Sequence, residues 1–185
     1  MSSAVMTLSP FSQAGVVDDD VIAMVMAASR DPVVRGHSYL VQALDEKGAL
    51  AYCQGHDGVV VRYDGTPLVA VIVYRELPPL AGLAVPAGSV ELDAWALAPA
   101  RGKGLFGKQG GWPLVAAWLS QRFDHALSVV FSDNEPGQAH ARSIGGTWIG
   151  RTYLPSRDIP GFRDGEVDVY VHELARYRPS QGTSP

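Results

Sequence analysis

The spacing of apolar positions changes several times along the chain, and each change marks an element. Asp18, Asp19 and Asp20 precede the apolar run Val21 to Ala28, which predicts a helix with carboxylates at its positive end, ended by Pro32. Leu40, Ala43, Leu44 and Ala51 form a helical stripe and predict a second helix over Tyr39 to Tyr52, weakened by Gly48. From Gly58 the pattern is that of strands. Val59 to Val61, the turn Tyr63-Asp64-Gly65-Thr66 and Leu68 to Tyr74 read as a hairpin. Leu77 to Ser89 carries three prolines and two glycines among apolar residues and predicts a long connection beside a pocket or partner. Val90 to Ala98 is a strand, Trp112 to Phe123 a helix with Pro113 in its first turn, Leu127 to Phe131 a buried strand, and Pro136 to Ile144 a short helix closed by Gly145-Gly146. Trp148 to Leu154 and Val167 to Leu174 complete the set, with Pro155, Pro160 and Gly161 between them. Hairpins at both ends around strand–helix–strand imply a mixed sheet covered by helices, in the α/β (α+β) class.

Composition narrows what such a domain does. The 185 residues are 46% hydrophobic and 18% charged, which predicts one globular domain and excludes a disordered chain. We expect a mobile end over 1–15, the domain over 16–177 and a second mobile end over 178–185. No apolar stretch approaches the roughly 18 residues of a membrane span. No basic stretch followed by an apolar core opens the chain, so no secretion signal is expected. The single Cys53 excludes a disulfide framework and fits a reducing cytoplasm. With 15 Lys+Arg against 19 Asp+Glu, the net charge of -4 does not support a broad nucleic-acid footprint. His37, His56, His125 and His172 show no H-x-x-x-H spacing and give no reason to expect a metal, and no G-x-S-x-G supports hydrolase chemistry.

Five of the 20 glycines fall in Arg101-Gly102-Lys103-Gly104-Leu105-Phe106-Gly107-Lys108-Gln109-Gly110-Gly111, between a predicted strand and a predicted helix. Backbone that tolerates positive φ, free amides and nearby cations point to an anion, and to phosphate in particular. Three templates overlay the segment. Gly102, Gly104 and Gly107 fit G-x-G-x-x-G, but a hairpin precedes them and the acidic residue expected about 20 positions later is missing. Gly102 to Lys108 fits G-x-x-x-x-G-K, yet Gln109 stands where a magnesium-binding Ser or Thr belongs, so a P-loop-like nucleotide binder is a remote alternative.

The third overlay is a resemblance. Pro99-Ala100-Arg101-Gly102-Lys103-Gly104 after the strand Val90 to Ala98 resembles the acyl-CoA loop of the GNAT acyltransferase superfamily, Arg/Gln-x-x-Gly-x-Gly/Ala. Asn134, the short helix, Gly145 and the closing strand pair extend the likeness over roughly Gly58 to Leu174. Phe106 replaces the last small residue of the pattern, Ala141 stands where many relatives carry a tyrosine acid, and Gly146 replaces a Phe.

The resemblance implies a mostly antiparallel central sheet and direct transfer of an acetyl or other acyl group from acetyl-CoA or another acyl-CoA to a primary amine. It implies pyrophosphate contacts at Arg101, Gly102, Lys103, Gly104, Gly107 and Lys108, and pantetheine contacts along the strand to Leu97 and at Asn134. Glu91 and Asp93, two apart on that strand, share a face with Trp95 and are candidate bases, Glu91 having the longer reach. His140, next to Ala141, is the candidate acid for the leaving sulfur, with Ser143 and Tyr153 as weaker substitutes. A non-catalytic acyl-CoA-binding regulatory domain, or a transferase using aminoacyl-tRNA, are the alternatives, and a homodimer is compatible with the family. The acceptor, a small molecule or a peptide, is left open.

Overall fold

The computed structural model describes residues 5–156 and 161–178. A seven-stranded sheet, in the order β1-β2-β3-β4-β5-β7-β6, forms its centre. The strands are β1 Met6–Pro10, β2 Asp57–Tyr63, β3 Thr66–Tyr74, β4 Val90–Ala96, β5 His125–Phe131, β6 Thr147–Leu154 and β7 Gly165–Glu173. All neighbours run antiparallel except β4 and β5. The helices are α1 Asp19–Arg30, α2 Pro32–His37, α3 Glu46–Gly55, α4 Gly111–Ser120 and α5 Glu135–Ser143.

Side-chain alternation sends the sheet's residues into two cores. Val59, Val61, Val69, Val71, Val73 and Leu92 pack against Trp112, Val115, Ala116 and Leu119 of α4. Val60, Ala70, Ile72 and Trp95 face the other way, onto Val21, Val25 and Ala28 of α1 and Ala49 and Cys53 of α3. This double burial is why β2 and β3 read as unbroken Val/Ile runs. A third cluster gathers Phe131, Leu154, Phe162, Val167 and Val169 at the far ends of β5, β6 and β7. No described helix is long and apolar enough to cross a membrane.

Three expectations change. Met6–Pro10, expected within a mobile end, pairs with β2 as an edge strand, and Phe11 behind it is buried. That strand was hidden because a single short edge strand needs no alternating pattern of its own. The second helix starts at Glu46, capped by Asp45, whose side chain accepts from the Gly48 amide at 2.8 Å, so Tyr39 to Leu44 cross the sheet as irregular chain. Pro32 does end α1, but it also opens α2, where its missing N–H costs nothing and Asp31 accepts from the Val33 amide at 2.9 Å. At the carboxyl end Arg178 is held by Ser120 O and Asp124, while residues 179–185 lie outside the described residues, as does Pro160.

Candidate active site

The site arises where the sheet comes apart. β4 and β5 pair in parallel over three positions only, Val90↔Ala126, Glu91↔Leu127 and Leu92↔Ser128. From Asp93 onward β4 keeps β3 as its neighbour while β5 stays with β7, so the two strands diverge. Peptide groups alternate sides along a strand. The Leu97 amide donates to Leu68 O at 2.9 Å, toward β3, so the peptide groups of Ala94 and Ala96 face the gap. Leu97, expected as a ligand contact, instead has its amide tied to β3 and its carbonyl accepting from the Ala100 amide. It does not line the cavity; Ala94 and Ala96 do.

That gap opens into a cavity of about 370 Å³. One wall is α2, through Val33, Val34 and His37; the other is the glycine-rich loop with Asn134, Gly137 and His140 of the α5 region. Arg101 ties the walls together. Its guanidinium donates to Ala96 O at 2.9 Å and pairs with Asp31 Oδ2 at 2.5 Å, and this hydrogen bond holds the Asp31 carboxyl below its ordinary value. Arg101, expected to serve phosphate, also lines the cavity, with its Nε and one terminal nitrogen committed to the protein. Lys103 and Lys108 are exposed and outside the cavity lining.

Gly102 and Gly104 have φ of +70° and +66°, a conformation that side-chain-bearing residues resist. The amides of Gly102, Lys103 and Gly104 make no backbone hydrogen bond among the described residues, whereas the Gly107 amide donates to Gly104 O at 2.9 Å and is thereby used up. Gly110 and Gly111 answer to packing. A Cβ on Gly110 would lie 2.1 Å from Leu105 O, and one on Gly111 2.8 Å from Val61 of the sheet. The two glycines let the start of α4 sit directly on β2.

Asn134 lines the cavity while its Oδ1 accepts from the Gly137 amide at 3.0 Å, capping α5. His140 lines it too, stacked on Phe106 at 5.3 Å between centroids. Burial lowers the His140 pKa, so the ring is neutral near pH 7. Its Nε2, like Trp95 Nε1 on the opposite side, is buried with no hydrogen-bond partner among the described residues. A cavity bordered by such atoms suits a ligand with polar groups along its length. Ser143 also borders it, but its hydroxyl donates to His140 O at 2.8 Å. Tyr153 does not reach the site: it is 56% exposed and bonded to Asp164. Ala141 is buried and does not line the cavity.

Glu91 and Asp93 do share a face, and both are almost wholly enclosed, at 2% and 7% exposure. The residue that organises them, Tyr39, had been assigned to a helix by periodicity. Its hydroxyl donates to Glu91 Oε1 at 2.5 Å and its amide to Asp93 Oδ2 at 3.0 Å. Burial raises the Asp93 pKa to about 7, the Tyr39 amide opposing the shift and the Glu91 charge adding to it. These groups, with Phe131, Leu154 and Phe162, enclose a second chamber of about 20 Å³. Both spaces touch His37 and Ser38. Among the described residues no group of three or more His, Cys, Asp or Glu could hold a metal.

No protein-family model matches the chain, and no curated protein matches it in sequence. Solved structures do match in fold. An N-acetyltransferase from Staphylococcus aureus aligns over 94% of this chain and 99% of its own at a TM-score of 0.62 and 14% identity. A Salmonella typhimurium acetyl transferase that modifies the N-terminal serine of a ribosomal subunit protein aligns over 93% and 96%, with a TM-score of 0.67 at 11% identity. An aminoglycoside acetyltransferase solved with coenzyme A aligns over 95% and 96%, with a TM-score of 0.60 at 14% identity. With the diverging β4 and β5 and the glycine-rich loop between β4 and α4, this chain has the fold of the GNAT acyltransferase superfamily.

Proposed function

We propose that the protein is an N-acyltransferase that moves an acetyl or other acyl group from acyl-CoA to a primary amine by direct attack in a ternary complex. The observation that carries this reading is the divergence of β4 and β5 beyond Leu92, beside which a cavity of about 370 Å³ and a chamber holding two buried carboxylates share His37 and Ser38 as walls. Solved neighbours bound to coenzyme A support the same donor.

In this reading the amides of Gly102, Lys103 and Gly104 hold the pyrophosphate, with exposed Lys103 and Lys108 adding charge at the cavity mouth. The Ala94 peptide group and the Ala96 amide pair with the pantetheine arm, and Asn134 borders it. Asp93, the first residue past the point of divergence, takes the amine's proton. Its pKa near 7 leaves a useful fraction ionised at neutral pH while keeping it basic enough to accept a proton. Glu91, held by the Tyr39 hydroxyl, keeps Asp93 basic by its charge. The acceptor, having shed its ammonium proton to solvent, attacks the thioester carbon as the neutral amine. Asp93 takes the proton that leaves nitrogen as the amide forms, the carbon–sulfur bond breaks, and the thiolate leaves and is protonated by water. His140, neutral, offers a hydrogen bond to the sulfur and is not its proton source. The buried, unpaired Cys53 is compatible with a cytoplasmic setting.

Calorimetric titration with coenzyme A, together with thiol release from acetyl-CoA over an amine panel, tests the proposal. Heat of binding and amine-dependent thiol are expected. An intact fold that binds no coenzyme A refutes it, and binding without thiol release over any amine favours the non-catalytic acyl-CoA binder.

A further inference from the structure

The chamber around Asp93 limits which amines can enter. Its described walls are the rings of Tyr39, Phe131 and Phe162 and the side chains of Val129 and Leu154, with Glu91 and Asp93 as its anionic groups. Tyr39 and Phe162 lie 4.8 Å apart between centroids and Phe131 and Phe162 5.8 Å, so the aromatic surface is continuous. At about 20 Å³ the chamber has room for a group the size of one water. Ring faces and carboxylates both favour an ammonium or amine head.

Nothing comparable receives an anion among the described residues. Among the described residues no Lys or Arg lines the chamber, and the one imidazole at its edge, His37, has its pKa lowered by burial and by Arg163. Arg163 itself lies behind the wall, its guanidinium 3.9 Å from the Phe131 ring centroid and both its terminal nitrogens engaged by Asp133 at 2.6 and 2.7 Å. Arg35, beneath the crossing segment, donates its Nε to Val41 O at 2.9 Å. A carboxylate attached beside the reacting amine would be stripped of water next to Glu91 and Asp93 with no counter-charge among the described residues. The larger cavity, which shares His37 and Ser38 with the chamber, presents Val33 and Val34 on that side and accepts an apolar body.

Resting on the acyl-transfer reading above, the geometry points to an acceptor that is a small primary amine with an uncharged, apolar body and no carboxylate beside the amine. Free amino acids and polyamines are excluded, the former by the carboxylate and the latter by a second cation with no partner in the apolar part. The test compares amines that share a body: isoamylamine, leucinamide and leucine, and phenethylamine against phenylalanine, with acetyl-CoA as donor and kcat/KM as readout. The two amines and leucinamide are expected to exceed the amino acids by on the order of 100-fold, the discrimination an unpaired buried charge produces. Equal or better use of leucine or phenylalanine overturns the inference. The absence of transfer to every amine while titration shows acetyl-CoA bound overturns the acyl-transfer reading, and this inference with it. Failure to bind acetyl-CoA does the same.

Discussion

Replacing Asp93 with Asn separates what the carboxylate does for chemistry from what it costs the fold. In the unfolded chain Asp93 loses its proton near 3.8, and in the folded protein near 7. Below the first value both states are protonated and the group is neutral with respect to stability. Between the two, the unfolded state is ionised while the folded state retains its proton, so stability falls as pH rises. Above 7 both are ionised and the full penalty persists. At about 1.4 kcal/mol per tenfold change in proton affinity, the gap amounts to about 4 kcal/mol.

Asp93→Asn has no such titration, and its amide oxygen can still accept from the Tyr39 amide. The variant should match the wild type in stability near pH 4, gain on it through pH 7, and hold a plateau of up to about 4 kcal/mol above that. For a domain of this size each kcal/mol moves the melting temperature by roughly 2–4 °C, so the difference is measurable by thermal scans or urea titration over pH 4 to 9. Titrating groups that do not interact with position 93 are common to both proteins and cancel in the difference; Glu91, whose charge couples to Asp93, adds its own shift. The same variant should lose at least about 100-fold in kcat, in the range that removal of general base catalysis produces. A stability difference that does not vary with pH, or an Asn variant less stable at pH 8, would refute the argument that burial raises this pKa. A stable Asn variant with undiminished kcat would remove Asp93 from the mechanism.

Three further predictions rest on separate observations. Gly104→Val forces a side chain into φ +66° at an open position, so it should cost the fold only about 1–2 kcal/mol yet weaken coenzyme A binding at least about tenfold in calorimetry. Tyr39→Phe removes the hydroxyl that donates to Glu91 and leaves a buried carboxylate short of a bond. It should lower stability by about 1–3 kcal/mol and shift the pH–rate profile, and an unchanged profile would leave the hydroxyl no part in setting the site's charge. His172 is fully buried, and burial, aided by His140 and Arg176, lowers its pKa to about 4 from 6.5, so the unfolded state binds the extra proton between those values and stability rises with pH by about 3 kcal/mol across that window. Because Asp93 acts oppositely over the same range, it offsets His172 there, and stability should rise more steeply with pH in Asp93→Asn than in the wild type.

Most elements were legible because their patterns were local. The Val/Ile runs of β2 and β3, the Asp-Gly turn between them and the glycine density after β4 each follow from neighbouring residues, and so does the shared face of Glu91 and Asp93. What escaped depends on residues far apart. Tyr39 meets Glu91 and Asp93 across more than fifty positions, and its apolar neighbours happen to fit a helical period that the Asp45 cap interrupts. The pairing of Arg101 with Asp31 spans seventy positions. A basic residue at the head of a glycine loop gives no sign of whether it faces ligand or protein. The reason for Gly110-Gly111 is likewise distant in sequence or hidden in the loop's own fold: the close approach of Val61 and of Leu105 O. Leu97 was one residue out of phase: the gap is served by Ala94 and Ala96, and which parity faces it depends on where β5 departs.

That departure links the site's separate features. Where β4 and β5 stay paired, at Glu91, the carboxylate is enclosed and bonded; one pleat further, at Asp93, the sheet has begun to open, and a carboxylate there is buried by the crossing segment of Tyr39 and not by a neighbouring strand. The same placement that puts Asp93 in the wall of the small chamber deprives it of water and raises its pKa. The instability it introduces above neutral pH and its fitness as a base are thus one physical fact. A substitution that relieves the first without harming the second should not exist at this position, and Asp93→Glu offers the test. The longer carboxylate would have to retain both the Tyr39 amide contact and a raised pKa to keep the rate. If instead it gains stability at pH 8 by reaching water, its kcat should fall with it; stability and rate rising together would refute the coupling.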